Sequence, residues 1–263
     1  MFNSPFTEND WQRQFFNFLA SAVVRSIICL FFAVNLKNDN LEKQAQALFK
    51  SWFIDYEPFD GYFPADWFIG TLEDLSSEIV CGKTPSTKRK EYYGNEIPFV
   101  TIPDMHNSVY TVKTDRALSA LGANSQPKKT LPKNTVCVSC IGTAGLVSLL
   151  AEKSQTNQQI NSIIPKSHIF TFYIYLLMKT KSIQINKFGQ SGSTIVNLNK
   201  TQFAQLPAII PSEYILSRFH KIVKPIFENI LTNSRENLIL ENIRNNLLQE
   251  LLSNRIDLSD IKI

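Results

Sequence analysis

The sequence predicts an α+β protein in which a mixed α/β domain is flanked by long α-helices that pair as a coiled coil. Two observations predict this fold. Apolar residues recur at helical spacing in two flanking stretches, residues 41–56 and 212–253. Between Gly70 and Pro211 the sequence changes to short β-rich runs separated by Gly, Pro, Asn and Ser. With 263 residues, 44% of them apolar, the chain has enough apolar material for a buried core.

The first segment, residues 1–34, is unusually apolar. Residues 15–36 form a stretch of 22 residues, which is long enough to cross a bilayer. Its thirteen Phe, Leu, Ile and Val residues favour insertion by roughly 4 to 8 kcal/mol, against a cost of about 3 kcal/mol for Arg25. Hydropathy therefore leaves a membrane helix open, whereas the acidic residues Glu8 and Asp10 argue against a signal peptide.

Residues 35–61 are predicted to contain a helix of about fifteen residues. Its apolar positions are Leu41, Ala45, Leu48 and Trp52. Asp39 or Asn40 is a suitable first residue, and Pro58 and Gly61 are typical of residues that follow a helix.

Residues 212–263 are predicted to form a long distal helix. The apolar stripe steps by three and four residues through Ile215, Phe219, Ile222, Ile226, Ile230 and Asn233, and continues through Leu240, Ile243, Leu247 and Leu251. Such a helix is about 60 Å long, and Pro225 is expected to kink it or split it. The apolar stripe must be buried against a partner. The helix at 41–56 is long enough to cover about a third of the stripe.

The middle domain, residues 62–211, contains the β-rich runs IPFVTI, TVCVSCIG and TIVNL and one helical stretch, HIFTFYIYLLMKTKSIQ. Residues 70–205 contain 15 basic and 8 acidic residues, an excess of seven positive charges, whereas the flanks have a net charge of −3. A basic middle between mildly acidic flanks favours a module that meets a polyanion.

The cysteines and histidines do not predict a metal site. Cys137 and Cys140 are three residues apart on a predicted strand, so their side chains point to opposite faces. His106, His168 and His220 are scattered without ligand spacing. We therefore expect the thiols to be small core residues of a reduced, cytosolic protein.

The residues that four classes of enzyme need are not found in this sequence. Gly142-Thr-Ala-Gly145 has neither the spacing nor the lysine of a nucleotide-binding phosphate loop. A metal-nuclease core following Asp104 would need an acid two residues before Lys113, and that position holds Thr111. No serine or cysteine stands at a recognisable spacing from a histidine, and no Asn-Pro-Pro-aromatic motif of amino-methyltransferases is present. The sequence therefore predicts no catalytic residues.

Four polar turns of the middle domain are the candidates for contact with a nucleic acid: residues 82–94, 142–145, 155–159 and 189–194. Such turns offer main-chain N–H groups, hydroxyls and lysines to phosphates, and amide side chains can bind adenine edges. The alternative is that they are ordinary hairpin and strand-end turns. The candidate DNA-binding residues are Lys83, Thr84, Ser86, Lys88, Arg89, Thr143, Asn157, Gln158, Ser191 and Ser193.

An ordered series of short motifs runs through the middle domain. The series is GTLED from Gly70, GKTPS from Gly82, YYGNEIPFV from Tyr92, PKNTVCVSCIGTAG from Pro132, TNQ from Thr156, GST from Gly192, LN from Leu198, LP from Leu206 and IP from Ile210. This order resembles the target-recognition domain of type I restriction-modification specificity subunits. Residues 41–58 and 212–256 are similar to the central and distal conserved helices of that family, so the resemblance covers about 225 of the 263 residues.

The resemblance implies a role for each region. It implies that the middle domain recognises one half of a bipartite double-stranded DNA target and that the paired helices dock modification subunits. Methylation and restriction would then belong to the partner modification and restriction subunits, which use S-adenosylmethionine, ATP and Mg²⁺. The chain itself would be non-catalytic, would bind no cofactor and would be cytoplasmic.

The chain departs from the family pattern in two ways. It has one recognition domain instead of two in tandem, and residues 1–34 are unlike the end of a preceding domain. Either the chain is a half-subunit that forms a homodimer, or it is a truncated product; the apolar start favours the second explanation. The main alternative function is a membrane-anchored or coiled-coil interaction protein that uses residues 15–36 and 213–253. A third, an autonomous nuclease, is disfavoured by Thr111.

Overall fold

The computed structural model describes the backbone of residues 8–187 and 198–252, and within them the side chains of 25–182, Ile185 and 198–250. The chain divides into two compact units. The larger unit comprises Asn40–Leu231, and the smaller unit contains the described residues that precede Asn40 and those that follow Leu231.

Six α-helices and ten strands lie in the described ranges. The helices are α1 (Glu8–Phe53), α2 (Leu72–Leu75), α3 (Ala120–Asn124), α4 (Thr171–Lys187), α5 (Lys200–Ala204) and α6 (Glu213–Leu252). The strands are β1 (Phe68–Thr71), β2 (Ser76–Cys81), β3 (Tyr93–Val100), β4 (Tyr110–Thr111), β5 (Ala117–Leu118), β6 (Val136–Ser139), β7 (Val147–Leu150), β8 (Gln155–Thr156), β9 (Ile160–Pro165) and β10 (Pro207–Ile210). Short 3₁₀ helices include Pro127–Lys129 and His168–Phe170.

The strands form three mixed or antiparallel sheets. The largest has the order β2-β9-β6-β7-β4, in which only the β4 and β7 pair is parallel. A second sheet has the order β5-β3-β8, and β1 pairs with β10 in a two-stranded ribbon. The predicted α+β class is confirmed, since these sheets are flanked by the long helices α1 and α6, which pack together.

The core of the larger unit lies between the five-stranded sheet and α4. Residues 171–178 of α4 are all buried, as expected for a helix whose apolar residues cover the whole of its surface. Residues 136–140, which comprise β6 and the residue after it, alternate between two apolar clusters, with Val136, Val138 and Cys140 in one and Cys137 in the other. The two thiols therefore lie on opposite faces, as predicted, and burial raises the pKa of each to about 12.

Most of the predicted elements of the middle domain are present. IPFVTI overlaps β3, TVCVSCIG contains β6, and the helical stretch corresponds to α4 with the 3₁₀ turn before it. TIVNL lies almost entirely outside the described residues.

The first flanking helix begins far earlier than predicted, whereas its end, shortly before Pro58 and Gly61, agrees with the prediction. Instead of beginning at Asp39 or Asn40 and running for about fifteen residues, α1 covers 46 residues and ends at Phe53. Asp and Asn cost only a few tenths of a kcal/mol to about 0.7 kcal/mol each in a helix interior, so tertiary contacts easily outweigh them. Within the larger unit, Phe49, Trp52 and Phe53 pack against Phe219 of α6, which confirms that the two helices are partners there.

The distal helix is not split at Pro225. α6 is continuous for 40 residues, because the buried side chains on both sides of the proline hold the helix together against a cost of about 3 kcal/mol. The predicted stripe is only partly correct: Ile222 is 44% exposed, whereas the adjacent Val223 and, further on, Phe227 are fully buried.

The smaller unit contains an antiparallel pair formed by the two long helices. Asn38 accepts a hydrogen bond from Asn233 at 2.8 Å, and Asn35 accepts one from Asn237 at 2.7 Å, so α1 and α6 run in opposite directions. Asn233 and Asn237 are buried. Within the described part of the chain, no helix combines the length and the apolar character needed to cross a membrane.

Candidate nucleic-acid interface

Three of the four predicted turns converge at one end of the five-stranded sheet. β2 and β6 both end there and β9 begins there, because β9 lies between them and is antiparallel to both. Cys81 is opposite Asn161, and Ser139 is opposite Ile160. The turns that follow β2 and β6 and precede β9 are therefore neighbours, and we call residues 82–89, 142–145 and 157–159 the turn face.

Direct hydrogen bonds join the first and third turns. The Thr84 hydroxyl donates to Oε1 of Gln158 at 2.7 Å, and the Lys83 N–H donates to the Thr156 carbonyl at 2.9 Å. Gly82 lies so close to the main chain of Asn157 that a Cβ at this position would clash with its carbonyl oxygen. Glycine is thus required here for the close approach of two backbones.

The second turn connects β6 to β7 and contacts the third. The Cys140 N–H donates to the Gln159 carbonyl at 2.8 Å, and the Ser139 hydroxyl donates to the Thr143 carbonyl at 2.6 Å. Gly142 and Gly145 have φ angles of +77° and +88°, which L-amino acids with side chains rarely adopt. The glycines of this Gly-Thr-Ala-Gly sequence therefore serve hairpin geometry, and the Thr143 side chain is exposed at the turn.

Two buried glutamines hold the first turn in place. Nε2 of Gln126 donates to the Lys83 carbonyl at 2.7 Å and to Oε1 of Gln155 at 2.8 Å. The Lys129 ammonium donates to the Cys81 carbonyl at 2.8 Å. Nothing local distinguishes Gln126 or Lys129 from surface residues, so their roles were not predictable from the sequence. Gln155, within the third predicted turn, lies instead in β8 and is fully buried.

The first turn carries exposed positive charge. Lys83, Lys88 and Arg89 are exposed, as is Ser86. Within the described ranges, none of these three cations forms a salt bridge, so their charge is available to an anionic partner. The Arg89 guanidinium lies 5.2 Å from the ring centroid of Tyr92 and donates to its hydroxyl at 2.7 Å. These two contacts with Tyr92 hold the Arg89 guanidinium in one orientation while leaving it accessible.

The amide residues of the third turn have different environments. Asn157 is only 8% exposed, and its side chain donates to Oε1 of Gln159 at 2.9 Å while accepting from the Gln159 N–H at 3.1 Å. Gln158 is exposed and accepts from Thr84. Asn157 thus shapes the turn, whereas Gln158 remains accessible to a ligand. Ser191 and Ser193, the candidates of the fourth turn, lie outside the described residues.

A family model described as Type I restriction modification DNA specificity domain matches residues 64–242, more than half of the chain. The chain belongs to this family. The matched range contains the whole turn face together with most of α6.

Relatives and solved structures agree with the family assignment. The chain is 37% identical to the Type I restriction enzyme HindI specificity subunit of Haemophilus influenzae, in an alignment that covers 83% of this chain and 62% of that protein. The chain therefore matches less than two thirds of that relative's length.

Two solved structures share the fold. The HsdS subunit from Thermoanaerobacter tengcongensis has a TM-score of 0.52 at 14% identity, covering 95% of this chain and 64% of that one. The type I restriction-modification S subunit from M. genitalium has a TM-score of 0.58 at 13% identity, covering 89% and 57%.

Asp104, the acid tested above as part of a metal-nuclease core, has a structural role in this chain. The Asp104 carboxylate accepts hydrogen bonds from the Thr101 N–H and hydroxyl, both at 2.7 Å, and from the Asp115 N–H at 2.9 Å. Thr111, which stands where a second metal ligand would be needed, is buried and hydrogen-bonded to Ser148 at 3.0 Å. Among the described residues, no three His, Cys, Asp or Glu side chains form a group that could hold a metal ion.

Two histidines that are far apart in sequence lie in contact. The rings of His168 and His220 meet edge to face, with centroids 5.3 Å apart. His168 and His220 are 52 positions apart, so in the sequence they are scattered. No local spacing could reveal that the two rings are in contact.

Proposed function

We propose that this chain is a DNA-recognition component of a type I restriction-modification complex and that its turn face contacts double-stranded DNA. The observation that carries the proposal is the convergence of three polar turns, the first of which has exposed cations without an acidic partner among the described residues. Main-chain N–H groups, hydroxyls and lysines at such a surface suit phosphate oxygens, and the exposed Gln158 amide suits a base edge.

The candidate residues have separate roles in this proposal. Lys83, Lys88 and Arg89 bind phosphates, and Thr84, Ser86 and Thr143 add hydroxyl contacts. Gln158, oriented by Thr84, is the candidate for base recognition. Asn157 acts indirectly, since its amide holds the backbone of the third turn. Ser191 and Ser193 remain candidates from the sequence alone.

The proposed partners are those of the family. The relative from Haemophilus influenzae is named a specificity subunit of a restriction enzyme, and we propose that this chain likewise directs modification and restriction subunits in the cytoplasm. Those partners would supply catalysis with S-adenosylmethionine, ATP and Mg²⁺. Because the family's target is bipartite, we propose that a second recognition domain takes part, and a second copy of this chain in a homodimer is one source of it.

Charge reversal at the turn face tests this proposal. In the variant K88E/R89E, duplex affinity is expected to fall, and the plot of log affinity against log salt is expected to become shallower by about two, because two phosphate contacts and their released counterions are lost. Fluorescence anisotropy of a labelled duplex from 50 to 300 mM salt measures both quantities.

The matched control reverses two exposed lysines at the other end of the five-stranded sheet. Lys153 and Lys166 follow β7 and β9 and are exposed, so K153E/K166E changes the net charge equally without touching the turn face. Equal losses in the two variants would show that affinity depends only on net charge, which would contradict the proposed interface.

A further inference from the structure

A cavity of about 210 Å³ lies in the larger unit, away from the turn face. Its lining residues come from β4, the turn before β6, the 3₁₀ helix His168–Phe170 with the first turn of α4, and the middle of α6.

The cavity and the turn face lie at opposite ends of α4. Thr171, the first residue of α4, lines the cavity, whereas the Ser182 hydroxyl donates to the Gly145 carbonyl at the turn face. The two residues are eleven positions apart, which corresponds to about 16 Å along a helix. The cavity is therefore a separate site.

Hydrogen-bond donors and positive charges dominate the polar lining. Lys133 and Lys224 supply two ammonium groups, and the Tyr110 and Thr171 hydroxyls and the His168 ring are further donors. Glu228, the one carboxylate among the described lining residues, is 3.7 Å from the Lys224 ammonium and so is already partly neutralised. The beginning of α4 adds the positive end of a helix dipole.

His220 is the buried polar group of the cavity. Its side chain is stacked on Phe172, with centroids 5.1 Å apart and planes inclined by 16°, and the residue is 8% exposed. Nδ1 of His220 is buried and has no hydrogen-bond partner among the described residues. Burial of such an atom without a partner is unfavourable, so it points to a ligand that accepts a hydrogen bond from the imidazole N–H.

We propose that this cavity binds a phosphate-type oxyanion, with the ammonium groups of Lys133 and Lys224 balancing its charge and the Thr171 hydroxyl and the His220 N–H donating to its oxygens. The ligand is either free phosphate or a phosphate group of a nucleic acid, which present the same oxygens.

The titration of His220 fits this arrangement. Burial, together with the neighbouring His168 and Lys224, lowers the pKa of His220 to about 4, while Glu228 opposes the shift. Tyr110 from β4 and Lys133 from the turn before β6 are the other titratable groups of the lining. A bound dianion reverses the local potential and so raises the pKa of His220.

NMR of the imidazole signals of the full chain tests the proposal with inorganic phosphate as the probe. His106→Gln and His168→Gln variants assign the three histidines. We expect the His220 signal to shift saturably with phosphate at constant ionic strength set by chloride, and its pKa to rise in the bound state. The variant K133A/K224A is expected to bind phosphate at least tenfold more weakly.

Lys221→Ala is the matched control, because Lys221 is an exposed lysine of α6 that does not line the cavity. It is expected to bind phosphate as the unaltered chain does. No saturable shift of His220, or an equal shift in K133A/K224A, would overturn the proposal. Lys133 and Lys224 are exposed, so their replacement by alanine is not expected to unfold the chain. Circular dichroism of K133A/K224A checks this.

A parallel titration with a short DNA duplex identifies the source of the phosphate. A His220 shift that the duplex causes, and that K133A/K224A abolishes, assigns the site to a backbone phosphate. A shift with inorganic phosphate alone assigns it to a free ligand. If neither probe produces a shift that depends on the two lysines, the cavity is not an oxyanion site.

Discussion

Single residues on the turn face divide into those that shape it and those that remain accessible. Lys83, Lys88 and Arg89 are exposed, and their long charged side chains in a polar turn predicted this from the sequence. The burial of Asn157 was not predictable in the same way. Its amide has the same chemistry as that of the exposed Gln158, and only the contact with Gln159 decides between the two environments.

The titration of His220 makes the stability of the protein depend on pH. The pKa of His220 is about 4 in the folded protein and near its ordinary value of 6.5 in the unfolded chain, so between these values the unfolded chain binds more protons. The contribution of His220 is therefore fully present above pH 6.5 and is lost as the pH falls towards 4. We expect a loss of up to about 3 kcal/mol between pH 7 and pH 4.

Urea unfolding in phosphate-free buffer at pH 7 and at pH 4.5 measures this loss. His220→Gln removes the titration, so the difference between the two pH values is expected to shrink in that variant. His168→Gln, at the exposed partner ring, is the comparison. A pH dependence that is the same in His220→Gln as in the unaltered chain would contradict the assignment.

At the scale of helices, tertiary contacts outweigh local signals. The Asp39 and Asn40 start signal lies inside α1, where nearby Asn35 and Asn38 are hydrogen-bonded to asparagines of α6. Pro225 likewise lies inside a continuous α6. Residues of both kinds destabilise a helix locally, but the cost of each is smaller than the stabilisation from packing two long helices. Sequence periodicity predicted that these helices exist and pair, and it gave the bounds of α6 to within a residue, but it did not predict where α1 begins or which residues are buried.

The asparagine pair of the smaller unit is expected to be energetically coupled. Asn38→Leu alone leaves the buried amide of Asn233 without its acceptor, at a cost of about 1 to 3 kcal/mol. The double variant N38L/N233L removes both polar groups and is expected to recover most of that loss. Chemical unfolding of the four proteins, followed by circular dichroism, gives the coupling free energy.

This coupling would be contradicted if the loss of stability in N38L/N233L equalled the sum of the losses in the two single variants. Asn35 and Asn237 form a second pair of the same kind, so the same cycle at those positions is an independent repetition.

At the scale of the whole molecule, the α+β class was predictable because short β-rich runs and long apolar stripes have different periodicities. The turn face was predictable only as a set of separate turns. Their convergence depends on β9 lying between β2 and β6, and strand order is a long-range property that local spacing does not contain. The cavity beside His220 was not predictable either, since its lining is drawn from residues between Tyr110 and Leu231.

Selection from a randomised duplex pool, followed by sequencing, tests most directly whether the chain recognises DNA by sequence. The purified chain is used alone and with the modification subunit proposed as its partner, at fixed salt. We expect enrichment of one short motif, alone or mirrored across a fixed gap, and a fall in the amount of duplex bound in K88E/R89E but not in K153E/K166E. Salt-sensitive binding without enrichment of any motif would contradict sequence recognition, because it would show that the basic domain binds phosphates only.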